Sequence, residues 1–272
     1  MNAELIISAF ADESSSVFDE QLQAVKRNGI THIELRQFDD TNVNKTTLET
    51  IREVKRRADD AGVRFSAVGS GLGKCEVGDD IETQQALCKR LIEIARILET
   101  PYIRIFSFRI PQDQPAETFR QQVIDKMGAL VEVARGTGVM LAHENEKHIY
   151  GETAERCLDL YETFYSTGVL KGVFDFANFI QAGQKPLTDC WPLLKNYTEY
   201  FHIKDALLED GAVVPAGKGD GSIREILGEA IGQGFGSFLT LEPHLWPKRF
   251  GGTSESRFDL AANALKALLQ AI

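Results

Sequence analysis

One pattern recurs along this sequence: a helical period ends at a glycine, and a short run of β-branched or aromatic residues follows directly. The joins are Asn28-Gly29-Ile30, Ala61-Gly62-Val63, Thr137-Gly138-Val139, Thr167-Gly168-Val169 and Gln233-Gly234-Phe235. Glycine tolerates the left-handed backbone that closes many helices, so each join predicts a helix followed by a strand. Alternating helices and strands are typical of a parallel sheet covered by helices.

Eight segments have the composition of strands, and several are apolar at nearly every position, as expected of parallel strands buried on both faces. They are ELIISAF from residue 4, THIELR from 31, VRFSAVG from 63, YIRIFSF from 102, VMLAHEN from 139, VLKGVFDF from 169, EYFHIKD from 199 and SFLTLEP from 237. Acidic or hydroxyl residues precede several helices, such as Ser14 to Ser16 and Asp79-Asp80, and are expected to cap them. Eight strand–helix units without a linker predict one (β/α)8 TIM barrel domain over residues 1–272.

An open doubly wound sheet is the alternative for alternating strands and helices. That fold usually carries a glycine-rich phosphate loop after its first strand, but here the first strand leads into Ala11-Asp12-Glu13. The stretch Gly69-Ser70-Gly71-Leu72-Gly73-Lys74 lacks the phosphate-loop spacing, and we interpret it as a plain active-site loop. The barrel is therefore favoured.

The composition limits the kinds of molecule that this protein is expected to bind. Forty acidic and thirty basic residues give a net charge of −10, which argues against a nucleic-acid or anionic-membrane surface. The apolar runs are too short for a membrane-spanning helix, and the start MNAELIISAF lacks the basic and apolar regions of a secretory signal. The four cysteines are widely spaced, which is typical of reduced thiols, so we expect a cytoplasmic protein.

Four consecutive predicted strands, the fifth to the eighth, end in potential metal ligands. These are Glu144, Asp175, His202 and Glu242. The carboxyl ends of barrel strands converge, so three acids would repel one another there unless a cation neutralised them. Three carboxylates and one imidazole favour one divalent ion, with Mn²⁺ first, Mg²⁺ or Co²⁺ next, and Zn²⁺ as a further possibility.

At these residues the sequence resembles the xylose isomerase-like TIM barrel superfamily, the sugar phosphate isomerase/epimerase family. The segments that carry the resemblance are HENEKHIYGET from 143, GVFDFANF from 172, YFHIKDA from 200, VVPAGKGDG from 213 and LEPHL from 241. The superfamily includes ketose 3-epimerases, inosose dehydratases and endonuclease IV, and by matching motif its metal ligands are the same four residues. Ketose epimerases usually have a histidine where this chain has Asn178, which can donate a hydrogen bond but does not titrate near neutral pH.

The resemblance implies chemistry beside a carbonyl of a small carbohydrate. A metal that chelates the carbonyl and an adjacent hydroxyl stabilises an enediolate, and a carboxylate removes the neighbouring proton. Glu144 and Glu242 are then the catalytic acid/base pair of a sugar or sugar phosphate isomerase or epimerase. Loss of a β-hydroxyl from the same enediolate would instead give a dehydratase of an inosose-like or keto-acid substrate.

Two other functions remain as alternatives. A non-catalytic sugar-binding barrel is disfavoured by the intact set of four ligands. A zinc-cluster endonuclease needs histidines at the ends of strands three and four, where this sequence has Gly69-Ser70 and Phe106-Ser107. Barrels of this kind often form homo-oligomers, and no sequence patch decides the matter here.

Substrate contacts are predicted for six further residues: Lys204, Asn178, Arg104, Glu34, Arg36 and His244. For some of them a structural role is an equal alternative: Lys204 can pair with Asp205 or Glu144, Glu34 and Arg36 can form an inward ion pair, and His244 can orient Glu242. His143 should point away from the site, Lys147 and His148 are placed to line its entrance, and Phe10 and Trp246 can supply an apolar wall.

Overall fold

The computed structural model describes residues 5–272, and in it eight parallel strands close into a barrel. In chain order the strands are β1 Ile6–Ala9, β2 His32–Leu35, β3 Arg64–Leu72, β4 Tyr102–Ile105, β5 Met140–Glu144, β6 Leu170–Asp175, β7 Thr198–Ile203 and β8 Phe238–Leu241. Each pairs with its neighbour in sequence, and β8 closes the ring by pairing Phe238 with Ile6 of β1. The predicted (β/α)8 barrel is confirmed; Glu4, where the first strand was expected to begin, lies outside the described residues.

Helices surround the barrel. They are α1 Phe18–Arg27, α2 Leu48–Ala61, α3 Ile81–Leu98, α4 Arg120–Ala134, α5 Ala154–Phe164, α6 Phe176–Gln181, α7 Trp191–Leu194, α8 Ile223–Gly232, α9 Pro247–Phe250 and α10 Ser254–Leu269. Their apolar faces pack on the outside of the strands in one large core. No helix within residues 5–272 is long and apolar enough to cross a membrane.

The five glycines of the recurring join are all left-handed, as predicted. The φ angles of Gly29, Gly62, Gly138, Gly168 and Gly234 are 63°, 73°, 81°, 67° and 91°. A Cβ atom at any of these positions would meet no other atom within 4 Å. The backbone conformation, not crowding, is therefore the reason for glycine at these joins.

Capping was predicted correctly for one helix and wrongly for another. Asp80 caps α3 by accepting hydrogen bonds from the backbone N–H groups of Glu82 and Thr83. Ser14 to Ser16 do not cap α1; instead Asp39 Oδ1 accepts the hydrogen bond from Phe18 N at 2.8 Å. The cap of α1 thus comes from a residue that is distant in sequence and that the local pattern did not indicate.

The segment Gly69–Leu72 is strand, so its interpretation as a loop was wrong. Strand β3 continues to Leu72, which is in register with Ile105 of β4. Ser70 Oγ donates to the carbonyl oxygen of Arg104 at 2.5 Å, which ties this part of β3 to the next strand. The neighbouring strand therefore overrides the local preference of glycine for loops.

The two ends of the barrel interior differ. At the amino ends of the strands, Tyr102, Tyr200 and Phe238 pack together, with the Tyr102 ring 5.6 Å from Tyr200 and 6.3 Å from Phe238 between centroids. At the carboxyl ends the interior is polar and charged. The aromatic cluster closes one end, so a small molecule reaches the interior from the other.

Candidate metal centre

The four predicted ligands meet at the carboxyl end of the barrel. Glu144 and Asp175 are the last residues of β5 and β6, His202 lies near the end of β7, and Glu242 directly follows β8. Asp175 and His202 are in register across neighbouring strands. Each of the four residues is at most 3% exposed. One ligand atom from each lies within 4.8 Å of those of the other three.

The donor atoms of this quartet, Glu144, Asp175, His202 and Glu242, fit a divalent cation. His202 Nδ1 is 3.0 Å from Glu144 Oε1 and 3.9 Å from Glu242 Oε2. His202 Nδ1 and Asp175 Oδ2 are buried, and their only close contacts among the described residues, to Glu144 and Lys204, lack the geometry of a hydrogen bond. Buried polar atoms are normally hydrogen-bonded, and a cation among the four would coordinate both atoms. Three carboxylates with one imidazole form a donor set suited to Mn²⁺, Mg²⁺, Co²⁺ or Zn²⁺.

Two buried cations offset part of the negative charge. Lys204 Nζ lies 2.9 Å from Asp175 Oδ2 and 2.9 Å from Glu242 Oε2. Arg104 Nη1 lies 2.7 Å from Glu144 Oε2. Lys204 therefore pairs with Asp175 and Glu242, and not with Asp205 or Glu144, the partners considered from the sequence. Asp205 instead accepts backbone N–H bonds from Gly217, Gly219 and Gly221, at 2.9 Å each.

The pKa values describe how this charge is balanced in the metal-free chain. Burial disfavours the ionised carboxylate of Glu144, but His202 and Arg104 outweigh it and hold the pKa below its usual range. Burial also disfavours protonated His202, yet Glu144 and Glu34 raise its pKa to about 10. Burial raises the pKa of Asp175 to about 7, although Lys204 opposes the shift. A cation that binds at Nδ1 must therefore displace a proton from His202, as metal binding to histidine generally does.

Glu34 lies behind His202. His202 Nε2 is 3.1 Å from Glu34 Oε2, Tyr200 donates its hydroxyl to Glu34 Oε1 at 3.4 Å, and Glu34 is fully buried. A carboxylate that accepts the Nε2 proton fixes the histidine tautomer and leaves Nδ1 for a metal. The structure thus places Glu34 where it can orient His202, and Glu34 is not among the residues that line the cavity described below.

Arg36 and His244 both contact Glu242. Arg36 Nη1 lies 3.2 Å from Glu242 Oε1, and His244 Nε2 lies 3.5 Å from the same oxygen. Arg36 also pairs with Asp12 Oδ2 at 2.8 Å, and His244 Nε2 with Glu13 Oε1 at 3.1 Å. The inward Glu34–Arg36 pair considered from the sequence was wrong, since Arg36 turns to these other acids. Asp12 and Glu13 were missed as site residues, although their position directly after β1 was a signal.

Asn178 and Asn145 support the ligands. Asn178 Nδ2 donates to the carbonyl oxygen of Asn145 at 2.9 Å and to Glu144 Oε1 at 3.3 Å. Asn178 N donates to Asp175 Oδ1 at 2.8 Å. Asn145 exchanges hydrogen bonds with the backbone of Asp175, at 2.9 and 3.0 Å. Asn145 was missed because only the structure shows this link between β5 and β6.

A cavity of about 940 Å³ adjoins the quartet through side chains that contact Glu144 or Glu242, although none of the four quartet residues lines it. Asn178, Lys204 and His244 line this cavity and so remain candidates for substrate contact. Arg104 does not line it: its side chain is 6% exposed and is hydrogen-bonded to Glu144. Lys147 lines the cavity as predicted.

The remaining predicted residues have distinct positions. Trp246 lines the cavity and is 72% exposed. Phe10 is buried, with its ring edge-on to His202 at 5.1 Å between centroids. His148 is exposed and is not among the lining residues. His143 points away from the quartet, with Nδ1 3.2 Å from the Tyr161 hydroxyl.

The closed barrel, with three acids and a histidine gathered at its strand ends, places this protein among TIM barrels with a candidate metal site. The chain belongs to the xylose isomerase-like TIM barrel family, because the model of that family matches residues 22–267. No curated protein matches the sequence.

Solved structures share the fold at low sequence identity. The probable 3-DHS dehydratase AsbF of Bacillus anthracis is 18% identical, with a TM-score of 0.76 over 97% of this chain and 98% of that one. An IolI protein with a bound zinc atom is 17% identical, with a TM-score of 0.74 over 98% of each chain. A D-psicose 3-epimerase of Clostridium cellulolyticum H10 with D-tagatose is 14% identical, with a TM-score of 0.73 over 97% of this chain and 98% of that one.

Proposed function

We propose that this protein is a divalent-metal-dependent isomerase or epimerase of a sugar or sugar phosphate, with Mn²⁺ as the preferred ion. The observation that carries the proposal is the quartet, whose four donor atoms lie within 4.8 Å of one another beside a large cavity. Family membership supports it, as does the fold shared with an epimerase and a dehydratase. A divalent ion held by the quartet supplies positive charge that stabilises an enediolate formed from the substrate carbonyl.

Glu144 and Glu242 are the proposed acid/base pair. Glu144 ends β5 and Glu242 follows β8, and these strands are not neighbours in the ring, so the two carboxylates enter the site from different sides. One carboxylate removes the proton next to the carbonyl and the other returns a proton on the opposite face, which inverts that carbon. Return of the proton to the neighbouring carbon interconverts aldose and ketose.

Their surroundings fix the positions of both carboxylates. Arg104 and Asn178 hold the two oxygens of Glu144, at 2.7 and 3.3 Å. Arg36 and Lys204 hold the two oxygens of Glu242, at 3.2 and 2.9 Å. A base that is already positioned loses little entropy when substrate binds.

Lys204 and Asn178 complete the proposed site from the cavity floor. Each lines the cavity and contacts one of the two glutamates. The Lys204 ammonium can stabilise negative charge on a substrate oxygen, and the Asn178 amide can donate to a hydroxyl or carbonyl. Asn178 stands where ketose epimerases usually have histidine, and this keeps dehydration as the second candidate reaction.

The test is exchange with solvent. Metal-loaded protein is incubated in D₂O with ketoses, inososes and their phosphates, and products are read by mass spectrometry and NMR. Incorporation of deuterium at one carbon with no loss of water supports isomerisation or epimerisation, whereas loss of water supports dehydration. Glu144→Gln should abolish exchange, and Glu132→Gln, whose exposed carboxylate pairs with Arg135 at the end of α4 and does not line the cavity, should retain it. Full exchange by Glu144→Gln would contradict the assigned base.

A further inference from the structure

Three cations line the mouth of the cavity: Lys147, Arg249 and Arg257. They come from different parts of the chain, namely the loop after β5, the short helix α9 and the first turn of α10. None of the three forms an ion pair with any residue in 5–272.

Most of the acids that line the same cavity have ion-pair partners of their own. Asp12 pairs with Arg36 at 2.8 Å, and Glu13 pairs with Arg36 and His244. Glu146 pairs with Lys74 at 2.8 Å. Arg36 also pairs with Glu242, so these acids draw on Arg36, His244 and Lys74 and not on Lys147, Arg249 or Arg257.

Two further charged residues, Asp210 and Lys204, line the cavity. Asp210 Oδ1 accepts the backbone N–H of Ala212 at 2.9 Å, and among the described residues Asp210 has no ion-pair partner. The Lys204 ammonium forms ion pairs with Asp175 and Glu242. Among the charged residues that line the cavity, three cations and one carboxylate therefore have no ion-pair partner within residues 5–272.

The Arg257 guanidinium is fixed in position without being neutralised. Its Nη1 donates to the carbonyl oxygens of Gly251 and Gly252, at 3.1 and 2.8 Å, and its Nη2 donates to Ser254 Oγ at 3.1 Å. Gly251 and Gly252 have φ angles of 62° and 65°, a left-handed backbone that other residues adopt at a cost. An arginine held in this way offers a pre-oriented charge to an anion.

We propose that the substrate carries an anionic group, a phosphate or a carboxylate, which binds Lys147, Arg249 and Arg257 while the reacting end lies over the quartet. This inference rests on the proposed function, whose substrate class it narrows to charged sugars or sugar acids. Its location agrees with TIM barrels in general, in which the segments after the last strands frequently hold phosphate. Arg249 and Arg257 both follow β8.

The first experiment measures binding of inorganic phosphate to the metal-free protein by isothermal titration calorimetry. Arg249→Gln should weaken binding about tenfold, the loss expected for one charged hydrogen bond. Lys248→Gln is the matched control, because it removes the same charge from the same exposed helix at a residue that does not line the cavity. Equal affinities for Arg249→Gln and Lys248→Gln would overturn the inference.

Arg257→Gln is the second variant, with its melting temperature measured alongside binding because Arg257 also holds the Gly251 and Gly252 carbonyls. Weakened phosphate binding with an unchanged melting temperature supports an anion site. Unchanged phosphate binding by Arg257→Gln counts against it.

The second experiment compares D-fructose 6-phosphate, D-fructuronate and D-fructose as ligands. If either anion binds about tenfold more tightly than D-fructose, and Arg249→Gln loses this difference, the inference is supported. Which of the two anions binds more tightly shows whether the site prefers a phosphate or a carboxylate. Equal binding of all three overturns it. These binding measurements need no metal, so they are independent of the proposed reaction. Anion binding without turnover would reject only the proposed reaction. Turnover of uncharged ketoses with no preference for anions would reject only the anion site.

Discussion

The two halves of the barrel ring contribute differently to the candidate site. Strands β5 to β8 supply all four residues of the quartet. Strands β1 to β4 supply none of them, but residues of that half touch the quartet: Glu34 contacts His202, Arg104 contacts Glu144, and Arg36, which follows β2, contacts Glu242. The second half presents all the candidate ligand atoms, and the first half helps to orient and neutralise them, together with Lys204 of the second half.

This division has a physical basis. Four buried acids, the three of the quartet and Glu34, carry a large desolvation cost, which nearby positive charge offsets in part. Arg104 reaches Glu144 from the neighbouring strand β4, and Arg36 reaches Glu242 from the end of β2, two strands away around the ring.

The largest expected effect comes from a ligand of the second half. Asp175→Asn should reduce bound metal from about one ion per chain to nearly none, measured by elemental analysis after dialysis. In the wild type, EDTA should lower the melting temperature by about 5–10 °C if the ion is present at roughly 100 times its dissociation constant. Asp175→Asn should show no such shift, while Asp159→Asn, which alters a distant ion pair with Arg120, should behave as wild type. A full complement of metal in Asp175→Asn would remove Asp175 from the ligands.

The next effect tests the neutralising role of the first half. Arg104→Met leaves Glu144 buried without one of its cations, and the free energy of unfolding of metal-free protein should fall by about 3 kcal/mol, as for broken buried ion pairs. Added Mn²⁺ should restore part of the loss, and chemical denaturation with and without the ion measures both quantities. Arg109→Met, at an exposed residue, should change stability little. Comparable losses in the two variants would mean that Arg104 does not neutralise the site.

A smaller effect is expected from the residue that orients His202. Glu34→Gln should weaken metal affinity about 10- to 100-fold without removing the site, because the amide accepts the Nε2 proton less strongly than a carboxylate does. Competition with a chelating dye measures this affinity. Glu199→Gln changes a carboxylate at the other end of the barrel, where it pairs with Tyr102 and Lys171, and should leave affinity unchanged. An affinity of Glu34→Gln equal to that of the wild type would make Glu34 a packing residue only.

The smallest effect lies in the first half but away from the quartet. Hydrogen bonds from Glu82 and Thr83 lower the pKa of Asp80 from 3.8 to about 2. Since the folded-state pKa is the lower one, the cap stabilises the protein above about pH 4 and loses this contribution as the pH falls toward 2. Asp80→Ala should lower the melting temperature at pH 7 and reduce its fall in acid, with metal content unchanged. Altered metal content would show that the outer helices of this half also shape the site.

Much of this arrangement could be predicted from local pattern. The glycine joins and apolar runs gave the order of helices and strands, and the polar residues that end four runs gave Glu144, Asp175, His202 and Glu242 as candidates. Local pattern failed where a contact spans the chain. Asp39 caps α1 in place of the nearby serines, β4 draws Gly69–Leu72 into a strand, and Glu34 turns to His202 and not to Arg36.

The sequence by itself determined the parallel barrel and the end of it at which the polar residues of the strands meet. Backbone conformation and burial on both faces are properties of short segments, so they can be predicted locally. Only the tertiary structure decided which charges meet. Lys204 lies between Asp175 and Glu242, and the cations of the mouth have no acidic partner among the described residues. Such pairings depend on distances between side chains far apart in the chain, and those distances exist only once the ring has closed.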